Sequence, residues 1–400
     1  MAKVLQINAT YGLGSTGVIV SDLKRCCEQN NVICDVICCH QNGGDNHVHR
    51  VGNVLTNKLH ALLSRIDGKS AYYSFLTTLN IIRLVKSISP NIIQLHNLHS
   101  NFVNLNMLLR YLATTDIKII VTLHDSWYYT GGCTHYASIK CNKWKTDCAD
   151  CPQPPTITKS LLANKTTKIL SDRKRYFKAI KDLTIVGVSQ WITNEAKQNI
   201  FNSRNCICIH NGIDTHFYEP QKSMLKDQYK VGGRPLILVL ANKWNLDENK
   251  EARIELLKAF SEKCSFVFIG SSFVCDLREQ DINLGFIANK EQLRDIFSAS
   301  DVFINLSHED TLPTINMEAQ ACGLPVIGYH VTGVPETIVP GVGGVVEEGN
   351  TKDLIAITMR CLSNLNQEDR LKCREFVCNN YNREKNDQKY IELYNLLLNE

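Results

Sequence analysis

Residues 302–330 read VFINLSHEDTLPTINMEAQACGLPVIGYH. An apolar run, VFINLS (302–307), breaks off into the polar triplet His308, Glu309 and Asp310. A segment opened by Pro313 follows, and a second apolar run, LPVIGYH (324–330), closes the stretch. Two near-continuously apolar strands around a short helix are the building block of a parallel sheet covered on both faces. Glu318 sits in the middle of that helix, a position that a helix made only to fill a core would leave apolar.

The same alternation runs along the chain. The first half offers KVLQIN (3–8), CDVICC (34–39), NIIQLHN (91–97), IKIIVTLHD (117–125), LTIVGVS (183–189) and CICIHNG (206–212). The second half restarts with PLILVLAN (235–242), CSFVFIGS (264–271), INLGFI (282–287), VFINLS, LPVIGYH and GGVVEEG (343–349). Two rounds of the pattern in 400 residues predict an α/β protein of two doubly wound parallel-sheet domains. The expected division is 1–214 as an acceptor-side domain with a Cys-rich loop at 131–155, 215–234 as a linker, and 235–380 as a donor domain. The final segment, 381–400, is expected as a helix that crosses back to the first domain. Ligands then belong beyond the carboxyl ends of the strands.

Composition narrows the class. Hydrophobic residues make up 44% and charged residues 21%, the balance of a globular protein. No uncharged apolar run of about 18 residues occurs, which argues against a membrane-spanning helix. MAKVLQINATYGLG enters a strand directly, so a cytoplasmic protein is expected, and the 17 Cys are then read mostly as reduced thiols. The net charge of +4 divides unevenly: residues 1–200 carry +11 and residues 201–400 carry −7. Lys159–Lys181 holds eight basic residues and one acid, Asp172. With Leu161, Leu162, Ile169, Tyr176, Phe177 and Ile180 it reads either as a solvated amphipathic helix or as a face resting on anionic lipid at the inner membrane surface. No nucleic-acid motif accompanies it, so nucleic acid is not expected as a partner.

Pro313 suits the start of a helix. The free N–H groups of its first turn make an anion site. Glu318 lies roughly 7–8 Å further along the axis, the offset between a diphosphate and its ribose. A carboxylate there can accept both ribose hydroxyls. Asp310 precedes the helix, where a sugar ring would lie, and Gly333 of the following GVPE lets backbone approach a ligand.

This segment resembles the donor-binding region of family 4 glycosyltransferases, which have the two-domain GT-B fold with a central cleft. That family carries two acids eight positions apart, then Ala and a CG-x-PV run; here Asp310 and Glu318 are followed by AQACGLPVIG and TGVPE. The first acid is Asp where the family usually has Glu, which leaves Glu309 as an alternative sugar contact. INATYGLGSTG, LHDSWYYTGGC, VGVSQW, HNGIDTHF, LGFIANKEQLRDIFSASDVFINLS and KYIELYNLLL also have family counterparts. Within the family the chain is most similar to capsular and exopolysaccharide transferases, the colanic-acid type included. The resemblance implies retention of anomeric configuration. It also implies donor contacts from Gly14, Ser15, Thr16, Gly285, Phe286, Glu309, Thr311, Leu312, Pro313, Thr314 and Glu318. His124 would lie near the reacting sugar and acceptor. The family's Arg and Lys after the first strand of the second domain have Lys243 and Lys250 as their nearest counterparts, with irregular spacing.

Other readings stand beside this one. GLGSTG also satisfies a dinucleotide fingerprint, but the second strand ends in Cys38-Cys39-His40 instead of the acid a ribose needs, and Asp35 lies at its start. His96 and His99 are further candidates. Cys133, Cys141, Cys148 and Cys151 could enclose a structural Zn²⁺, stay as free thiols or do redox chemistry. No D-x-D occurs, so catalysis is expected to need no metal. The expected activity is transfer from a UDP- or GDP-sugar to a lipid-linked or other oligosaccharide acceptor in surface polysaccharide biosynthesis. The alternatives are a non-catalytic nucleotide-sugar binder and an epimerase.

Overall fold

The computed structural model describes residues 2–41, 44–153, 160 and 163–399. The chain divides into two compact units, Met1–His210 with Asn386–Glu400, and Asn211–Lys385.

The first unit is built on a parallel sheet of seven strands: β1 (Lys3–Ile7), β2 (Ile33–Cys38), β3 (Val48–Arg50), β4 (Ile92–Leu95), β5 (Lys118–Leu123), β6 (Leu183–Gly187) and β7 (Asn205–Cys208). Their order is β3-β2-β1-β4-β5-β6-β7. Val4 pairs with Cys34 on one side and Ile92 on the other. The inner strands are buried along almost their whole length, as their unbroken apolar sequences require. The six strands expected here form. The added strand is β3, whose three residues at the sheet edge are too short and polar to stand out in the sequence.

The second unit repeats the plan with β8 (Leu236–Leu240), β9 (Ser265–Ile269), β10 (Ile282–Gly285), β11 (Val302–Asn305), β12 (Val326–Tyr329) and β13 (Gly344–Val346), in the order β10-β9-β8-β11-β12-β13. In each unit the chain runs outward from a central strand and then reverses. The reversal leaves a crevice at the carboxyl ends of β1 and β4 in the first unit, and of β8 and β11 in the second.

Three segments take their place from what they pack against. Residues 215–234 pack within the second unit, where Tyr218 and Leu225 are buried and Lys226 pairs with Asp301 at 2.7 Å. The last helix, Arg383–Asn399, belongs to the first unit from Asn386 onward. There Tyr390, Ile391, Tyr394 and Leu397 join the core of Val4, Leu23, Cys27 and Ile92. The basic helix Thr166–Ala179 does not offer an apolar stripe to lipid. Ile169, Leu170, Phe177 and Ile180 all face the interior. Lys159, Leu161 and Leu162 lie outside the described residues.

Candidate active site

In the second unit, the helix Thr314–Ala321 is pinned by buried amides. Asn305 at the end of β11 donates to Asn316 at 2.8 Å, and Asn316 donates to Thr337 at 2.9 Å. Gln320 accepts from Val339 N–H at 2.8 Å. Pro313 is the N-cap, one position earlier than expected, and no side chain caps the first turn or places an acid in it. The helix therefore presents uncompensated N–H groups near the crevice.

Glu318 projects half-buried from this helix. Burial pushes its carboxyl up to about 7, against a hydrogen bond from Tyr218 and the charge of Lys290, which hold it down. Tyr218 is buried, and burial together with Glu318 raises its phenol well above the ordinary value. Its backbone is clamped. Arg374 donates to Tyr218 O and Ala321 O, both at 2.9 Å, while Arg294 lies over the Phe217 ring at 4.5 Å. Sequence reasoning missed Tyr218, Lys290 and Arg294. Tyr218 directly follows HNGIDTHF, so only its position in the fold, not its type, marks it.

Asp310 serves the loop. Its Oδ1 accepts from Leu312 N–H at 3.2 Å, and its carbonyl accepts from Thr332 Oγ1 at 2.6 Å and Gly333 N–H at 3.0 Å. A Cβ on Gly333 would lie 1.8 Å from Thr311 O. The glycine is thus needed for backbone to meet backbone. Glu309 is half-buried like Asp310, Thr311, Leu312 and Pro313 are buried, and Thr314 is half-buried.

Lys243 lies half-buried in the single helical turn Ala241–Trp244 that follows β8, at the crevice. Lys250 begins the helix Lys250–Ala259, exposed beside Asp247, Glu248 and Glu251. Among the described residues neither ammonium has an ion-pair partner. Between them sits buried Asn249, which donates to Lys243 O and Leu306 O at 2.9 Å. Its Oδ1 accepts from Tyr329 at 3.0 Å and lies 3.0 Å from His308 Nε2. Asn249 thereby ties the loop after β8 to the loop after β11. Gly285 adopts φ +65° at the end of β10, and Phe286 beside it is 73% exposed.

In the first unit, Gly14 (φ +65°) opens the helix Gly14–Gln29 with open space at its Cα and no side-chain cap. Ser15 is exposed and Thr16 half-buried, 3.5 Å from Asn97 Nδ2. Gly17 is the packing glycine: a Cβ there would lie 2.7 Å from Thr10 Oγ1. Asp35 is buried against His49 at 2.9 Å and His47 at 3.2 Å, engaged away from any ribose.

His96 and His124, after β4 and β5, stack with ring centroids 5.3 Å apart and nitrogens at 3.0 Å. Gln6 donates to Val20 O and Cys34 Sγ, so its Oε1 accepts from His96 Nε2 at 3.1 Å. His96 Nδ1 must then accept from His124 Nε2, which leaves the lone pair of His124 on Nδ1. Burial holds both imidazoles neutral, His124 at about 4. His99 pairs with Asp125 at 3.1 Å, and Asp125 also accepts from Trp127 N–H at 2.8 Å. Its carboxyl stays below the usual range, hydrogen bonding outweighing burial. A cavity of about 330 Å³ lies here, lined by Ser70, His99, Trp127, Cys133, Thr134 and His135 among others.

The cysteine loop meets this cavity. Cys133 donates to Cys151, which brings Cys151 down to about 6 and raises Cys133. Cys148 accepts from Gly131 N–H at 3.3 Å, and burial pushes it up to about 11. Cys141 is half-buried and interacts with the others electrostatically. Among the described residues no group of three or more His, Cys, Asp or Glu is arranged to hold a metal ion.

A profile for Glycosyltransferase Family 4 matches residues 16–217, and one for Glycosyl transferases group 1 matches residues 239–377. The colanic acid biosynthesis glycosyltransferase WcaC of Escherichia coli (strain K12) is 23% identical over 376 residues, 89% of this chain and 90% of that one. Sucrose-phosphate synthase from Thermosynechococcus elongatus superposes with a TM-score of 0.72 at 15% identity, over 100% of this chain and 99% of its own. Alr3699/HepE of Anabaena, solved with UDP-glucose, superposes with a TM-score of 0.64 at 14% identity, over 98% and 99%. Among the described residues no helix is long and apolar enough to cross a membrane.

Proposed function

The chain belongs to glycosyltransferase family 4 and has the GT-B fold, and from that membership we propose which sugar chemistry it performs and with which residues. It is a retaining glycosyltransferase that uses a nucleotide-sugar. In this reading the donor is a UDP- or GDP-sugar and the acceptor a lipid-linked oligosaccharide, in surface polysaccharide synthesis on the cytoplasmic side of a membrane. The likeness to the colanic acid enzyme and the UDP-glucose bound by the Anabaena protein support it.

The observation that carries the donor assignment is Glu318. It is a half-buried carboxylate steadied by Tyr218, about one turn from an uncapped helix start. It would accept both ribose hydroxyls. The N–H groups that begin at Thr314, with Lys243, would take the charge that develops on the departing diphosphate. Lys250 contributes less because acids surround it. Asp310 or Glu309 would meet the sugar, and Phe286 offers a face for the base. In the first unit, the Nδ1 lone pair of neutral His124 is suited to a hydroxyl proton of the acceptor.

The test is a panel of UDP- and GDP-sugars. A bound donor at about 100 times its Kd should stabilise the protein by roughly 2.7 kcal/mol. Glu318→Ala should lose that shift along with transfer to a lipid-linked acceptor. A protein that binds UDP but neither transfers nor hydrolyses any sugar would refute the assignment. Interconversion of a free nucleotide-sugar without acceptor would instead mark an epimerase.

A further inference from the structure

The helix Val54–Asp67 is built inside out. It buries His60 and Ser64 and turns five of its six large apolar side chains to solvent, all but Leu63. Leu55, Leu59, Leu62 and Ile66 follow the i, i+4, i+7, i+11 spacing of one helical face, and Leu55 is 77% exposed. Val54, Leu59, Leu62 and Ile66 each expose half or more of their surface. The next helix, Phe75–Ile88, extends the patch with Phe75 and with Leu76, 79% exposed. The two helices are joined: His60 Nδ1 meets Ser74 Oγ at 2.7 Å, and the His60 ring meets Tyr73 edge-on at 5.5 Å. No core requires these leucines, and a free apolar patch of this extent is a docking surface.

The charges on the same surface identify what docks. Lys58 and Arg65 are exposed among the leucines, and Arg83 and Lys86 are exposed on the second helix. Asp67 is the one acid between Val54 and Ile88, and Lys69 neutralises it at 2.9 Å. A second copy of the chain on a two-fold axis would bring these cations against themselves. An anionic bilayer satisfies both features, since acyl chains take the leucines and headgroups the cations. We infer that the paired helices Val54–Asp67 and Phe75–Ile88 form a membrane-docking face that lies in the headgroup layer of an anionic bilayer. This face lies on helices other than the basic helix Thr166–Ala179, whose Asp172 accepts from Tyr72 of the intervening turn at 2.6 Å, and it does not depend on the donor assignment.

The experiment is co-sedimentation of the full chain with vesicles of phosphatidylcholine containing about 30 mol % phosphatidylglycerol, beside vesicles of phosphatidylcholine alone. The wild-type chain is expected to pellet with the anionic vesicles and to be released as salt is raised. Lys58→Gln and Arg65→Gln should each weaken binding about fivefold. The combined change Leu55→Ser, Leu59→Ser, Leu62→Ser and Ile66→Ser should weaken it at least about tenfold. Its thermal shift with UDP should match the wild type. If neither protein shifts with UDP, the donor assignment fails and the vesicle result still stands. Three results overturn the docking face: wild-type chain left in the supernatant, undiminished binding by the quadruple variant, or a wild-type dimer that the quadruple variant turns into a monomer.

Discussion

Glu318 holds its proton to about pH 7, against an ordinary 4.5, because burial disfavours the carboxylate more than Tyr218 and Lys290 favour it. Two expectations follow from the sign of that shift. Between 4.5 and 7 the folded chain keeps a proton that the unfolded chain has lost. Stability of the second unit should therefore fall as pH rises through this window, and Glu318→Gln should flatten the slope in urea titrations. Ribose hydroxyls donating to the carboxylate would favour its charged form, so nucleotide binding should release a proton below pH 7. Affinity measured by calorimetry should then rise with pH, by at most about tenfold per unit, and level off near 7. Tyr218→Phe removes the hydrogen bond that lowers the carboxyl and should move that plateau to higher pH. An affinity flat from pH 5.5 to 8 in the wild type would remove Glu318 from the ribose. At this scale, what could be read from sequence was local. Asp310 and Glu318 announce themselves by spacing within one loop and helix. Tyr218 reaches Glu318 across about a hundred residues, and Asn249 joins two loops through contacts that no sequence window contains.

The helix Thr166–Ala179 illustrates the same limit for an element. Its periodicity marks a helix with one apolar side, and nothing in the pattern says whether that side meets lipid or the sheet. Its surroundings decide: β5 and β6 lie inside the sheet, so the helix has an interior to cover. Arg173, one of its five basic residues, is fully buried. It donates to Trp127 O and to Thr130 O at 2.8 Å, with its guanidinium 4.2 Å from the Trp127 ring centroid. Burial draws it down to about 10. This helix thus holds the turn that follows His124 and Asp125. Arg173→Met keeps the stem and removes the donors, leaving two buried carbonyls unsatisfied. It should cost about 3 kcal/mol in the unfolding of the first unit. Transfer should fall further than nucleotide affinity if His124, which the turn follows, meets the acceptor as proposed. A loss under about 1 kcal/mol would mean that water replaces the guanidinium.

For the whole chain, the alternation of strands and helices was enough to give two parallel sheets, because a strand buried on both faces must be apolar throughout. The helical period of KYIELYNLLL carries no address of its own, although 381–400 was expected to cross back to the first domain. The core supplies the address. Tyr390, Ile391, Leu393, Tyr394 and Leu397 close the first unit around Val4, Cys27 and Ile120, and Tyr394 donates to the buried Gln94. At roughly 1.5–3 kcal/mol for each large apolar side chain, these five contribute on the order of 10 kcal/mol, comparable to the stability of a whole domain. A chain ending at Lys385 should therefore fail to fold its first unit even though residues 1–210 are all present. The second unit keeps its own closing contacts, including Arg374 to Thr215 O at 3.2 Å and Arg383 N–H to Ile213 O at 3.0 Å. Limited proteolysis of the truncated chain should degrade the first 210 residues and spare a fragment near 211–385, which still shows a thermal shift with UDP. Tyr394→Ala in the full chain should reproduce part of the effect, at about 3–5 kcal/mol. Protease resistance across residues 1–210 of the truncated chain would show that the sheet closes without its last helix.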